Sequence, residues 1–547
     1  MPKWDATERA VKHHGKNGLM SLQIFDYKLF SSNMQKYSFD YIVVGAGTTG
    51  CVLANRLSEK SDIRVLLLEA GDTDDKPDFR NSNLSAFFGT WFTDADWQYF
   101  TEEETYLSGR RIPITQGKVM GGGSSVNGMI HVRGSRHDYD YWNYLGNEGW
   151  SYEDVLPYFK KSEDYASGAS EYHSVGGPIH VVDHTNLTPA AKAFLQGAIE
   201  IGYKAPPTDF NGAEMVGRAG AYQFAHTKEG KRCNAVVGYI LPILNRPNLT
   251  IKMKAQVTRL LFEGKRVVGV EYIQEGVVHQ VRAERELILS AGAFASPKLL
   301  MLSGIGPADH LKIHGIDVRV DLPGVGKNLQ DHTLVRMGYE CQVSQPIPEV
   351  ITEVGFFTHS RGHMENTAPD LQFLFSTFLF SDQAPGGVFI GGTHFLCCPT
   401  LLRPMSTGEV TLRSNNPLDL AKVRTNYMQC DSDMEVLLKG IETARDLMNT
   451  KAMSALGLKV LTPGPELTSK EALSQHIRDY CFTEWHPTST CKMGRDTMSV
   501  VDPQLRVYGV EGLRVVDASI MPAIVSGNTN APCIMIGEKA SDMIMNG

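Results

Sequence analysis

The sequence predicts an α/β fold with an α+β second part: a parallel sheet wound with helices, interrupted by a part built on an antiparallel sheet. Three observations carry this. A glycine-rich strand–turn–helix opens the fold at residues 39–57. A second strand ends in an acid, Glu69. Residues 330–400 then turn aromatic and strand-like.

Tyr41 to Val44 is a short apolar, β-branched run and reads as a buried parallel strand. Gly45, Gly47 and Gly50 follow as Gly-x-Gly-x-x-Gly, with Thr48 and Thr49 between them, and Cys51 to Leu57 takes helical spacing. Gly45 permits the tight turn, Gly47 lets backbone approach a pyrophosphate, and Gly50 lets helix and strand pack closely. The helix N-terminus offers free N–H groups and a positive dipole end to phosphates. The next strand, Arg64 to Leu68, ends in Glu69, about 20 residues past the glycines, where a carboxylate accepts hydrogen bonds from a ribose. Strand, turn, helix and acid together predict dinucleotide binding of the Rossmann type. The bland alternative is a glycine-rich turn in an unrelated α/β protein. The fingerprint alone does not separate FAD from NAD.

Further on, Gly121-Gly122-Gly123-Ser124-Ser125 suits backbone pressed against a ligand rather than a helix or strand interior. Its apolar flank, Met129 to Val132, argues against a surface turn. Residues 136–163 read as helix, split near Gly146 and Gly149 and bent at Pro157. Ala255 to Phe262 and Arg266 to Tyr272 read as a hairpin-like pair that covers the nucleotide. Glu286 to Ala293 reads as a last parallel strand whose tip meets it. A Pro-started helix follows from Ser296. Asp370 to Ser376 and Thr393 to Cys398 read as strands, and Phe356, Phe357, Phe378, Phe380 and Phe389 crowd the same region, so an antiparallel sheet with an aromatic face is expected, most of it simply core. Residues 433–450 read as an amphipathic helix. In the tail, Leu513 to Val516 is a buried strand, and Gly527 to Pro532 precedes a helix expected at Cys533 to Ile544.

At 547 residues the chain exceeds one ordinary hydrophobic core, so two domains are expected. The net charge of -8, with no basic stripe, argues against a nucleic-acid partner. Nine scattered cysteines without a Cys-x-x-Cys pair form no disulfide framework or zinc site. They point to a reducing compartment, the cytoplasm, and no metal is expected. Met1 to Lys36 carries no apolar core of signal-peptide length, and no apolar run is long enough for a membrane span.

Four stretches resemble the glucose-methanol-choline oxidoreductases. They are Val119 to Gly128, Gly292 to Pro297, the turn Gly324 to His332, and the tail Trp485 to Gly494 with Asp517 and Gly527 to Pro532. The resemblance runs from about residue 37 to the end, with the motifs in the family's order. It implies FAD, held by residues 37–160, 210–325 and 480–547, and a substrate-binding part at 161–209 and 326–479, after an extension at 1–36. It implies oxidation of an alcohol carbon, with His486 as base and Asn530 as its partner. An imidazole near pKa 6.5 suits the task, because the alcohol proton must leave as hydride moves to the flavin. By the same resemblance Asn127 lies by the flavin ring, Val257 by the adenine, Asp517 and Thr529 by the ribityl and pyrophosphate, and Trp485 at the flavin's border. Ala70, Trp97, Val119, Gly121, Gly122, Ser124, Gly128, Met129, Ile130, Ala291, Ala518 and Asn528 join them as cofactor-binding positions.

Two departures narrow the expectation. Val126 stands where covalently flavinylated members place a histidine, so FAD is expected to be non-covalent. Thr333-Leu334-Val335 follows the Gln-Asp-His turn where choline-oxidising members carry a carboxylate, so a neutral primary alcohol, aromatic or aliphatic, is expected. A fatty-acid photodecarboxylase and an FAD-containing hydroxynitrile lyase share the resemblance as alternatives. Having both His486 and Asn530 counts against the first. The electron acceptor, O₂ or a quinone or dye, and a possible homo-oligomer are not readable.

Overall fold

The computed structural model describes residues 38–547, apart from 205, 207, 363, 365, 366, 382–387 and 547. The extension expected at 1–36 lies outside the described residues. Phe39–Gly547 forms one compact unit with two large apolar clusters.

The first cluster surrounds a seven-stranded sheet. Strand β1 (Ser38–Val44) runs parallel to β2 (Val65–Leu68), with Tyr41 opposite Val65 and Val44 opposite Leu68. Strand Leu249–Lys252 extends the parallel run on the far side of β2. On the other side of β1 lies Val277–Leu289, which also pairs in parallel with Leu513–Val515. Tyr41 to Val44 of β1 and all of β2 are buried, which is why they read as continuous apolar runs rather than alternating ones. The expected hairpin is present as Ala255–Glu263 paired with Arg266–Gln274, at the sheet's edge.

Helix α1 (Thr48–Leu57) leaves the tip of β1 and packs on the C-terminal helix, Asn530–Asn546. The pairing is keyed by a two-pronged ion pair. Arg56 donates from Nη2 and Nε to Glu538 at 2.7 and 2.9 Å, and the Tyr239 hydroxyl donates to the same buried carboxylate at 2.8 Å. The last segment of the chain is thereby fixed against the first βα unit.

The second cluster surrounds an eight-stranded, largely antiparallel sheet. Its centre is the register Phe356↔Phe373 and Phe375↔Cys397. As expected, most of the phenylalanines are core: Phe356, Phe357, Phe373 and Phe375 are fully buried. A short strand, Thr333–Leu334, bridges this sheet to Phe482–Thr483, with Thr333 opposite Thr483. That bridge brings the Gln-Asp-His turn beside the tail.

Two helix starts differ from expectation. The helix expected at Ser296 begins at Gly292, leaving Pro297 inside it. A proline in a helix leaves the carbonyl four residues back unpaired, and here the Ala293 carbonyl accepts from Thr490 Oγ1 at 2.6 Å instead. The last helix begins at Asn530, not Cys533, with Pro532 in its first turn, where no N–H is needed. Among the described residues, no helix is long and apolar enough to cross a membrane, and all nine cysteines are free.

Gly50 sits where a side chain has no room: a Cβ there would lie 1.9 Å from the Gly45 carbonyl oxygen. We predict that Gly50→Ala destabilises the protein by about 1–3 kcal/mol and strips bound flavin. Thermal unfolding and flavin absorbance after gel filtration check both.

Candidate active site

A single cavity runs from the glycine turn after β1 to the tail histidine. At its nucleotide end it is lined by Gly45, Gly47, Thr48, Thr49, Glu69 and Ala70. Glu69 is buried, and its two carboxylate oxygens accept from Ala46 N at 2.9 Å and Gly71 N at 2.7 Å. Each oxygen keeps a further lone pair for a ribose hydroxyl. Burial raises this carboxyl to about 7, against the pull of its backbone donors. Val257 and Ala291 line the same stretch. The buried Ser290 hydroxyl, also on this wall, has no partner. An open glycine turn, an acid at the second strand's tip and an unpaired wall hydroxyl fit an adenine dinucleotide.

The middle of the cavity is lined by Trp97, Gly122, Asn127, Gly128, Met129 and Ile130. The Asn127 carbonyl oxygen Oδ1 is already engaged, accepting from Met129 N at 3.0 Å and Arg232 Nη1 at 2.9 Å. Val119, Gly121 and Ser124 stand behind the residues that line the cavity. Val119 packs on Phe79 and Val126. Gly121 N donates to the Ala46 carbonyl at 2.7 Å, and Ser124 Oγ donates to the Gly121 carbonyl and accepts from Ala235 N. These residues tie the glycine–serine turn to the β1 turn from behind. Asp517 does line the wall with Ala518, but its oxygens accept from Gly292 N, Ser296, Ser519 N and the Ser519 hydroxyl. Its main work is to anchor the helix at Gly292.

At the far end stand Trp485, His486, Asn528, Thr529 and Asn530. The His486 backbone N–H donates to Asp331 Oδ1 at 2.8 Å. The Thr483 hydroxyl donates to Asp331 Oδ2 at 2.6 Å, and Tyr427 donates to the same oxygen. Trp485 is held at φ 60°, a left-handed conformation rare for a bulky residue. Such strain gathers at functional sites, and the next residue, His486, lines the cavity. Burial and the neighbouring His332 ring push His486 well below the usual imidazole range, so it rests neutral.

The partner expected for His486 is corrected by the structure. Asn530 begins the last helix, and its Oδ1 accepts from Thr48 Oγ1 at 2.8 Å, at the nucleotide end. The amide beside His486 belongs to Asn528, whose Nδ2 donates to His486 Nε2 at 3.3 Å. The Asn528 Oδ1 has no partner. Asn530 was expected there from the resemblance, whose Gly527 to Pro532 motif holds two asparagines two residues apart.

Sequence reasoning missed two more groups. His332 is fully buried, and its Nδ1 lies 3.0 Å from His486 Nδ1. Glu484 Oε2 lies 3.9 Å from the Nδ1 of each ring. No local motif announces this trio, which the bridge at Thr333 and Thr483 assembles across more than 150 positions. An aromatic wall closes the end: Trp91 stands 4.9 Å from Trp485 and 5.3 Å from Phe88, and Phe88 stands 6.0 Å from Phe378.

A doubly wound nucleotide cradle feeding a cavity that ends at a neutral imidazole and an amide defines a flavin-type oxidoreductase. Family models described as GMC oxidoreductase match residues 39–334 and 404–537. Human mitochondrial choline dehydrogenase is 40% identical over 547 residues, covering 94% of this chain and 90% of that protein. The oxygen-dependent choline dehydrogenase of Cronobacter sakazakii is 38% identical, covering 92% and 95%. The crystal structure of pyridoxine 4-oxidase from Mesorbium loti superposes with a TM-score of 0.87 at 30% identity, covering 93% and 99%. The chain belongs to the GMC oxidoreductase family, and it is an FAD-dependent enzyme acting on CH–OH groups.

The two asparagines are expected to separate in function. Asn528→Ala slows flavin reduction by about 10-fold or more with FAD content unchanged. Asn530→Ala removes one hydrogen bond, about 1 kcal/mol, and weakens FAD retention several-fold while sparing reduction. Stopped-flow reduction and flavin titration of the apoprotein measure the two.

Proposed function

We propose that the alcohol hydroxyl displaces the Asn528 N–H from His486 Nε2 and is then held by both groups, and that His486 is the general base. FAD, when bound, supplies the acceptor for the hydride equivalent leaving the carbon. The chain's own part is to hold the hydroxyl, take its proton at Nε2 and exclude water behind the aromatic wall. The observation that carries this is an amide 3.3 Å from Nε2 of a buried imidazole, which burial also holds below its usual range. A base kept neutral by burial accepts a proton without first losing one. The amide orients the hydroxyl without competing for the proton.

For the body of the substrate, we favour a neutral primary alcohol, aromatic or aliphatic. Trp91, Phe88, Phe378, Leu374 and Leu396 line this end, and such a wall gains by burying apolar area. Arg336 lines it too, its guanidinium 4.4 Å over the Phe482 ring. A choline-like substrate is the second reading. It draws on the named relatives and on the aromatic wall, which also suits an ammonium group. FAD is held without a covalent bond, since Val126 on the cavity wall offers no nucleophilic atom. Buried free thiols suit a reducing compartment.

Anaerobic mixing with benzyl alcohol, straight-chain alcohols and choline, followed by flavin bleaching, tests the reading. Benzyl or straight-chain alcohol is expected to bleach faster than choline, and the reverse order selects the second reading. Repeating turnover with O₂ and with a dye identifies the acceptor. His486→Ala is expected to stay yellow yet reduce at least about 10²-fold more slowly. Acid precipitation is expected to release all flavin to the supernatant.

A further inference from the structure

Glu484 is a buried acid in the cavity wall that nothing so far employs. It lies two residues before His486, its backbone N–H donating to the His332 carbonyl at 2.9 Å. Its Oε2 has no hydrogen-bond partner and stands 3.9 Å from both imidazole Nδ1 atoms. Those atoms are 3.0 Å apart, so one ring donates and the other accepts. Asn528 donates to His486 Nε2, which assigns the proton of His486 to Nδ1 and the accepting lone pair to His332. The carboxyl therefore faces the edge of the histidine pair that is remote from the alcohol.

Resting on the reading of His486 as base, we propose that Glu484 is a positioning residue: its carboxylate steadies the positive charge that the His332–His486 pair takes up during alcohol oxidation. The alcohol O–H bond breaks and an N–H bond forms at His486 Nε2. The carbon's hydrogen leaves as hydride to FAD, and a C=O bond forms. His486 becomes an imidazolium whose Nδ1 proton is shared with His332. A carboxylate 3.9 Å away, in a water-poor site, offsets that charge without taking the proton from the alcohol itself.

The other ionisable groups facing this cluster are few. Asp331 is held by Tyr427, Thr483 and the His486 backbone, and burial raises it to about 6. Arg336 lies over Phe482. Cys398 and Tyr222 are buried and raised by desolvation. His332 is pushed down to about 3 and His486 well below its usual range, both by burial. Of the two carboxyls, Glu484 is the one whose Oε2 faces both imidazole Nδ1 atoms, and burial and then Asp331 raise it to about 8. The sign follows: as pH rises through about 8, Glu484 ionises and the imidazolium gains its counter-charge, so reduction accelerates.

The test compares wild type, Glu484→Gln and Glu484→Asp, each loaded with FAD. Limiting flavin reduction by a good alcohol is measured across pH, and the carboxyl C=O band is followed by difference infrared spectroscopy without alcohol. Wild type is expected to show a rate rising through pH about 8 and a carboxyl band vanishing over the same range. Glu484→Gln is expected to be about 10- to 100-fold slower, with that limb and band lost, and Glu484→Asp to restore the limb in part. A Glu484→Gln enzyme with the wild-type rate and limb overturns the proposal. So does a Glu484→Asp enzyme, folded and FAD-loaded, that shows no limb. If no alcohol reduces the wild type, it is the reading of His486 that falls.

Discussion

Asp331 is the point on which the site depends. Its carboxylate is buried, and it accepts from the His486 backbone, from Thr483 and from Tyr427. Those donors come from the tail and from the segment before the Asp431–Met448 helix, while Asp331 itself comes from the turn between the two cores. A buried carboxylate is tolerated only when its lone pairs are filled. This one is filled by the groups that aim the imidazole. The strained backbone at Trp485 persists because this network and the Thr333–Thr483 bridge over-determine it.

From that anchor the rest follows by geometry. The ion pair of Arg56 and Glu538 fixes the last helix against α1, and Asn530 reaches Thr48 across the same contact. Two residues earlier, Asn528 reaches His486. One short segment therefore touches both the nucleotide turn and the base, which sets their separation. One cavity is lined by both the nucleotide turn and His486.

Much of this was legible in the sequence, and the limits are physical. The first βα unit reads cleanly because every choice there is local: apolar strand, glycine turn, helix, acid. The aromatic sheet reads from composition. What failed was the direction of side chains in irregular backbone. Asn528 and Asn530 are chemically identical and two residues apart in one motif, and only the folded backbone shows which faces the histidine. Val119, Gly121 and Ser124 carry the right motif but brace it from behind. Glu484 and His332 were invisible because strand pairing between distant segments creates their proximity. Glu484, the acid supplied from across the bridge, was not foreseen.

The central claim is that an alcohol oxygen is held between one imidazole nitrogen and one amide beside the flavin. A crystal structure of the FAD-loaded protein with a bound, unreactive alcohol analogue tests it most directly. The account predicts the analogue's oxygen within hydrogen-bond distance of both His486 Nε2 and the Asn528 side chain, with His332 on the opposite edge of the ring. An oxygen bound elsewhere in the cavity, or a His486 ring turned so that Nε2 faces His332, would contradict it.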